Sequence, residues 1–400
     1  MKSAACFLRF SWLMAVALAA IPPAALAESD ALDLSLEELL KVQVMTASRK
    51  TERLNDVAAA AFIITREDIE RSGATSVPEA LRMAPGVQVG RLSNNRWAVS
   101  VRGFNDRIAN KLLVLMDGRC IYSPLFSGVL WEAEDTLLED IDRIEVIRGP
   151  GAAMWGANAV NGVINIITRK ARDTQGNLLL AGAGTYERAF GAFRHGGQVG
   201  DGYYRVWAKG FARDHSVNLA GTRGNNELQA GRIGFRADWS PAPGDRVMLS
   251  GSTYKGIEDD RWNYPDVTSP SGFVPTDLRQ TNDGANLIGR YEWSLASGSE
   301  AALQVYLDHT QVELGTTMTE QRTTADVDFQ HRSRIGQRHD VVWGLGYRNS
   351  HDHIDSRGIV RFSPASRSLR LVSAFVQDDI TLVPNTLRLM LGARLEHNSF

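Results

Sequence analysis

Residues 141–170 read IDRIEVIRGPGAAMWGANAVNGVINIITRK. Two apolar runs, 144–147 and 162–168, flank a bend rich in glycine. Gly149, Gly151, Gly156 and Gly162 supply backbone freedom where a bulky side chain would clash. The bend has no room for a helix of useful length, so both runs are expected to be strands. Arg148 stands at its mouth, where a guanidinium suits a bidentate carboxylate partner. Gly151 and Gly156 have the spacing of a phosphate-binding loop, but Ala157 and Asn158 follow where that chemistry needs Lys and Ser or Thr. The nucleotide reading is therefore weak. A glycine-rich hairpin in any β-rich protein explains the glycines but not their neighbours.

Those neighbours form an ordered set. Val101-Arg102-Gly103-Phe104, Leu113-Val114-Leu115-Met116-Asp117-Gly118 and Tyr122-Ser123-Pro124-Leu125-Phe126-Ser127-Gly128 precede Arg148-Gly149-Pro150-Gly151. Together with Gly156, Asn158 and Gly162 they closely resemble the plug signature of TonB-dependent outer-membrane receptors. The resemblance implies an α+β plug domain followed by antiparallel transmembrane β-barrel strands.

Four hundred residues suggest two domains or one large β architecture. Lys and Arg total 44 against 46 Asp and Glu, which gives no electrostatic case for nucleic acid. Lys2 and Arg9, an apolar run over 10–20 and Ala25-Leu26-Ala27 read as a signal peptide, residues 1–27, cleaved before Glu28. Its removal leaves Cys120 alone, so no intramolecular disulfide is expected. No later window holds eighteen consecutive apolar residues. A mature protein of this sequence that spans a membrane must do so as a barrel.

Residues 28–50 form the first mature segment. Ser35-Leu36-Glu37-Glu38 has capping-box spacing and predicts a short helix. Val42, Gln43, Val44, Met45, Thr46 and Ala47 are extended by composition. Such a segment can add a strand to a partner's sheet. In the resembled family this is the TonB box, pulled by TonB with its ExbB–ExbD energising complex. A first plug strand packed in the domain accounts for the pattern equally well.

Residues 51–172 alternate helix and strand signals. Thr65 and Ser76 are N-caps, and Ser76-Val77-Pro78-Glu79 has capping-box spacing. Gly73 and Pro85-Gly86 end those helices. Strands are predicted over 87–92, 97–101, 112–116 and 119–122, the last two joined by the hairpin dipeptide Asp117-Gly118. No histidine occurs before His195, so the plug lacks the usual general base, a His-based triad and a His metal site. No catalytic constellation, cofactor or resident metal is expected. Glu132, Glu134 and Asp135 read as a solvated loop.

From residue 173 to 400 the period becomes two. Leu303, Val305 and Leu307 oppose Gln304, Asp308 and Thr310; Leu387, Leu389, Leu391 and Leu395 oppose Arg388, Met390, Arg394 and Glu396. Tight turns near 200–202, 241–245, 297–299, 335–337 and 384–385 alternate with loops expected over 215–226, 256–282 and 349–368. Short turns on one side and long loops on the other suit an outer-membrane barrel, here of roughly eleven strands. The resembled family closes a barrel of about twenty-two strands. The chain is accordingly expected to be a fragment of a longer receptor or a truncated product.

The resemblance further implies import of a scarce nutrient across the outer membrane of a Gram-negative bacterium. Ferric siderophores or similar metal chelates such as cobalamin are the expected ligands. Arg102 and Arg148 would pair with barrel carboxylates and seat the plug. Arg91, Asn94, Asn95, Arg96, Trp97, Tyr122, Phe126 and Trp131 would form ligand-contacting apices, although each aromatic is as readily a packing residue. His351-Asp352-His353 reads as polar outer loop rather than a metal site. Two other readings stay open. One is a soluble periplasmic binding or signalling protein built on the plug, with a resistant core ending near Arg172. The other is a secreted enzyme, disfavoured by the missing constellation.

Overall fold

The described fold belongs to Gln43–Phe400, one of two units into which the chain divides. The computed structural model describes residues 43–399 apart from 47–48, 50–51, 54–56, 58, 95, 218–220, 267, 296–297, 358–359 and 385. The expected signal peptide, the helix near Ser35, and Val42, Ala47 and Asn95 lie outside these residues. No helix among the described residues is long and apolar enough to cross a membrane.

The first part is an α+β domain. Two short strands, β1 (Gln43–Val44) and β2 (Glu52–Arg53), pair antiparallel. Then come β3 (Ala60–Thr65), α1 (Arg66–Ser72), α2 (Val77–Ala80), β4 (Val87–Arg91), β5 (Trp97–Val101), β6 (Leu112–Met116) and β7 (Arg119–Cys120). β8 (Tyr122–Ser123), β9 (Gly128–Val129), β10 (Ile141–Arg148), α3 (Ala152–Trp155) and β11 (Gly162–Thr168) complete it. The central sheet runs β3-β10-β11-β6-β7. β10 is antiparallel to β3 and β11, while β11 is parallel to β6. The two arms of the glycine-rich bend are thus sheet neighbours, with Ile144 opposite Ile166 and Val146 opposite Ile164. These four side chains and Ile64 and Val114 are fully buried. Burying a side chain of this size contributes about 1.5–3 kcal/mol.

Local signals explain the edges of these elements. Thr65 caps α1 in a reciprocal box with Asp68, and Gly73 ends it in the left-handed region. Asp117 and Gly118 both take positive φ in the β6–β7 turn. Ser76 makes no cap bond, and its hydroxyl is buried without a partner. The glutamate that sequence paired with it, Glu79, bonds Thr75 instead, through both backbone N–H and hydroxyl.

The second part is one sheet of eleven sequentially antiparallel strands. They are β12 (Gly176–Gly182), β13 (Glu187–Val199), β14 (Gly202–Arg213), β15 (Leu228–Trp239), β16 (Arg246–Pro265) and β17 (Phe273–Ser294). β18 (Glu300–Leu314), β19 (Met318–Ile335), β20 (His339–Ser356), β21 (Ser366–Val383) and β22 (Leu387–Asn398) follow. Leu303, Val305 and Leu307 are exposed on the outer face, whereas Gln304 between them and Thr310 further along are buried on the inner face. Strict alternation thus separates an apolar exterior from a polar interior.

Two loop expectations are corrected. β16 and β17 run 20 and 22 residues, far into the segment 256–282. Its charges pair across the ladder: Arg261 opposes Asp277 and Arg279 opposes Asp259, each within ion-pair distance. Likewise 349–356 is the end of β20, so His351 and His353 are exposed while Asp352 is buried on the opposite face. The three do not converge.

Candidate functional site

The plug meets the inner face of the wall through its strand ends and loops. At the N-terminal end, Val44 and Thr46 are almost fully buried. The wholly buried Glu145, in the middle of β10, accepts hydrogen bonds from the backbone N–H groups of Met45 (3.0 Å) and Thr46 (2.7 Å). Arg143 lies 2.8 Å from the same carboxylate. Trp155, in the signature bend, donates its indole N–H to the Thr46 carbonyl at 2.6 Å, and Asn165 bonds the Thr46 hydroxyl at 3.0 Å. Three residues on, Arg49 pairs with Asp328 of the wall at 3.0 Å, with its guanidinium over the rings of Trp155 and Phe375. Burial lowers the pKa of Arg49, against the pull of Asp328. Gln43, Val44, Met45 and Thr46 are therefore a docked strand and hook, not a free tail.

The signature bend is held by its own backbone. Gly149 and Gly151 donate to the carbonyls of Asn161 and Ala159, both at 2.9 Å, while Pro150 between them is exposed. Gly156 has φ +94, and a Cβ there would collide with the Glu396 carboxylate of β22. At Gly162 a Cβ would run into the Ile147 carbonyl. Asn158 is half-buried on the turn.

The two expected seating arginines are elsewhere than supposed. Arg102 is exposed at positive φ, and Arg148 packs its aliphatic stem beside Gly86. Neither reaches a carboxylate among the described residues, and the Arg148 Nε is buried without a partner. The motif glycines bring these arginines alongside other backbone, Arg102 against Gly149 and Arg148 against Gly86, rather than toward the wall.

Ion pairs between plug and wall use other residues. On the side of β13–β15, Asp140 is gripped by Arg194 and by Arg205, the latter at 3.0 Å. Lys209 pairs with Asp135 at 2.7 Å and donates to the Thr136 carbonyl. Arg236 donates to the Thr168 hydroxyl at 2.9 Å, and Asp238 accepts from the Ala171 N–H at 2.6 Å. On the side of β18, Arg119 of the plug joins Glu134, also of the plug, to Asp308 of the wall, both at 2.9 Å. Burial alone would lower the Arg119 pKa, but the two carboxylates raise it above the ordinary value. Sequence reading missed these groups. Glu145 was visible as a lone carboxylate inside an apolar strand run, and Arg194, Arg205 and Arg236 all stand on the inward phase of their strands.

The outer apices are only partly as expected. Trp97 and Trp131 belong to the plug core and have no face to offer a ligand. Phe126 packs against a cluster joining Leu130 and Ala133 to Val312 and Leu314 of the wall. Tyr122 is half-buried on β8, and burial raises its pKa. Arg96 pairs with Asp260 and donates to the Gln280 amide oxygen at 2.9 Å. Asn94 is wholly buried, donating to the carbonyls of Asp214 and Asn226 and accepting from Tyr186. Arg91 is exposed, with its guanidinium over Tyr186. Of the apex residues described, Arg91 alone is exposed.

One group of metal-ligand type stands nearby. Single ligand atoms of Asp214, His215 and Glu227 lie within 4.8 Å of one another. The Asp214 carboxylate already pairs with Arg188 at 2.7 Å, and that bond holds its pKa down to about 2.

Comparison with known proteins adds the lineage of this arrangement. Residues 53–163 match the family model of the TonB-dependent receptor plug domain. A vitamin B12 transporter BtuB of Vibrio vulnificus is 35% identical over 144 residues, covering 36% of this chain and 23% of the relative. A BtuB of Vibrio cholerae is 33% identical over 197 residues, 49% of this chain and 31% of the relative. The chain thus matches less than a third of the length of these curated relatives. The ferripyoverdine receptor of the Pseudomonas aeruginosa outer membrane superposes with TM-score 0.72 at 16% identity, over 89% of this chain and 54% of that one. The siderophore receptor PirA of Acinetobacter baumannii superposes with TM-score 0.65 at 18% identity, over 85% and 57%. These last two likenesses concern the fold.

Proposed function

The chain carries the plug of the TonB-dependent receptor family followed by strands of its barrel fold, and on that footing we propose that it serves active import across a Gram-negative outer membrane. The cargo class is a large metal chelate, cobalamin or a ferric siderophore. Energy comes from TonB, with ExbB–ExbD, acting on residues 42–47. The protein acts as a gated transporter, not an enzyme. Residues 1–27 are the export signal, 28–50 the TonB-box segment, 51–172 the plug and 173–400 the wall.

The observation that carries this reading is the seat of the plug. It lies on the polar inner face of a sheet whose outer face is apolar, bonded to it from Asp140 to Glu396. A soluble plug with an unfolded tail would leave these buried arginines and carboxylates without purpose. The hook at Thr46 supports a pulled segment, because a few hydrogen bonds to Glu145, Trp155 and Asn165 are its main tie to the plug.

Uptake of labelled cyanocobalamin and of ferripyoverdine by cells expressing the receptor, with and without TonB, tests the proposal. TonB-dependent accumulation of either is expected. Val44→Pro removes a main-chain donor and should abolish uptake while surface binding persists. Uptake of neither probe, with the receptor in the outer membrane, would refute the reading.

A further inference from the structure

Cys120 is a free thiol, half-buried on β7, the two-residue edge strand of the plug sheet, where it pairs with Leu115 of β6. The hairpin that carries it lies against the wall. A Cβ at Gly118 would meet the Gln304 amide of β18, and Arg119 reaches Asp308 of the same strand at 2.9 Å. Tyr306 is the inward position between those two, so its side chain is set beside the hairpin.

Tyr306 is only 2% exposed, and its hydroxyl is buried without a hydrogen-bond partner. A buried donor left unsatisfied is costly and calls for an acceptor. The Arg348 guanidinium of β20 stands 6.0 Å from the centroid of the same ring. Asp326 of β19 orients that guanidinium by accepting its Nε–H at 2.8 Å. Cys120, Tyr306 and Arg348 are electrostatic neighbours of one another. Cys120, Asp326 and Arg348 also line a cavity of about 850 Å³. It runs under the whole width of the plug, from Tyr203 and Arg236 to Gln330 and Glu396, and reaches the tight turn at Gly244.

We propose that Cys120 is a site of reversible oxidation to the sulfenic acid by a small hydroperoxide, with Arg348 favouring the thiolate and Tyr306 donating a hydrogen bond to the oxygen gained. The thiolate attacks one peroxide oxygen. An S–O bond forms as the O–O bond breaks, and sulfur gives up an electron pair. The departing hydroxide takes up the proton lost by the thiol and leaves as water. Reversal consumes two small thiols. The first displaces water from sulfur and forms a mixed disulfide; the second releases Cys120 as the thiol and leaves as a small disulfide.

The surroundings suit this chemistry. Reactive cysteines are partly exposed and lie beside a cation. The cavity admits a molecule of peroxide size to a thiol that β7 and the wall half cover. No second cysteine among the described residues can resolve the sulfenic acid as a disulfide. Its lifetime then depends on the groups around it, and Tyr306 supplies the donor.

The full chain, folded in detergent, is treated with hydrogen peroxide in the presence of dimedone, which traps sulfenic acid, and Cys120 is followed by peptide mass mapping. The same chain unfolded in urea gives the rate of an unassisted thiol. Native Cys120 should be trapped about tenfold faster than unfolded Cys120. Arg348→Gln should bring the native rate back to the unfolded value. Tyr306→Phe removes only the hydroxyl; without dimedone it should raise the share that passes on to sulfinic acid by about tenfold, because the sulfenic oxygen has lost its donor. Glutathione added after peroxide should restore the free thiol in the parent. A native rate no greater than the unfolded one overturns the assignment, and that comparison needs no variant to fold. A native advantage that persists in folded Arg348→Gln overturns the role of the guanidinium, and unchanged sulfinic acid in Tyr306→Phe overturns that of the hydroxyl. Failure of glutathione to restore the thiol overturns reversibility.

Discussion

The plug has two unlike flanks. Against β13–β15 it is clamped by wall arginines and a lysine, several of which reach backbone carbonyls as well as carboxylates. Against β18–β20 the charged side chains meet side chains: Arg119 reaches Asp308, Arg49 reaches Asp328, and Arg322 of the wall donates to the Ser123 hydroxyl. Carbonyl contacts cannot be undone by protonation and need exact placement of the chain, so the clamped flank favours permanence. The Arg119–Asp308 ion pair stands on an edge strand two residues long, where water can replace it as the strand moves. One domain thereby combines a fixed margin with a movable one.

Five variants would break or sharpen that contrast. The largest effect is expected on the clamped flank. Asp140→Ala strands two buried guanidinia, and removing one partner of a buried pair costs about 3–5 kcal/mol. Thermal unfolding should show a marked loss of stability, with little passage of large antibiotics. Arg119→Ala strands Glu134 and Asp308 at a comparable cost, about 3–5 kcal/mol, but should admit those antibiotics readily. If both variants leak equally, the two flanks are equivalent and the contrast fails.

Next comes the N-terminal hook. Glu145→Gln replaces a charged acceptor of two backbone N–H groups, and a hydrogen bond to a charged group contributes about 1.5–3 kcal/mol. Amide exchange at Met45 and Thr46 should quicken while β11 stays protected. Arg148→Ala should matter least among the arginines, by about 0.5 kcal/mol or less, because no carboxylate among the described residues pairs with it. Leakage matching Arg119→Ala would instead restore Arg148 as a seating residue.

The smallest effect is on acid response. Asp214 is held near pKa 2 by its bond to Arg188, below the ordinary range of an aspartate. A depressed carboxylate adds stability above its unfolded pKa and loses it as pH falls through the folded one. Protection of the loop at residue 214 should therefore decline between about pH 4 and pH 2. Asp214→Asn should erase that decline, and a decline unchanged in the variant would assign it to other groups.

Much of this architecture was readable in the residues. The alternation around Leu303–Leu307 gave the inner and outer faces, and Asp117-Gly118 gave the hairpin that carries Arg119. Its partners were harder. Arg119 sits next to that hairpin, but Glu134 and Asp308 approach it only through folding, 15 and 189 residues away in sequence. Trp97 and Trp131 lie beside turn residues, which suggested exposed apices; the β4–β5 ladder and the burial of the loop before β10 turn them inward instead. Polar character misled over 256–282, because charges that pair across a ladder resemble loop charges when read along the chain.

The order of ties at the N-terminal end has a mechanical consequence. Tension arriving from before Gln43 would be borne in series. The β1–β2 pairing at Gln43 and Val44 lies first along the chain, then the bonds of Met45 and Thr46 to Glu145, then the Trp155 and Asn165 bonds to Thr46, then Arg49. Arg49 is fastened by Asp328, and its own carbonyl by Gln330, both on β19. At that point load passes from the plug into the wall. A pull too weak to free Arg49 therefore empties the hook without straining β3, and only a stronger one is transmitted to the central sheet.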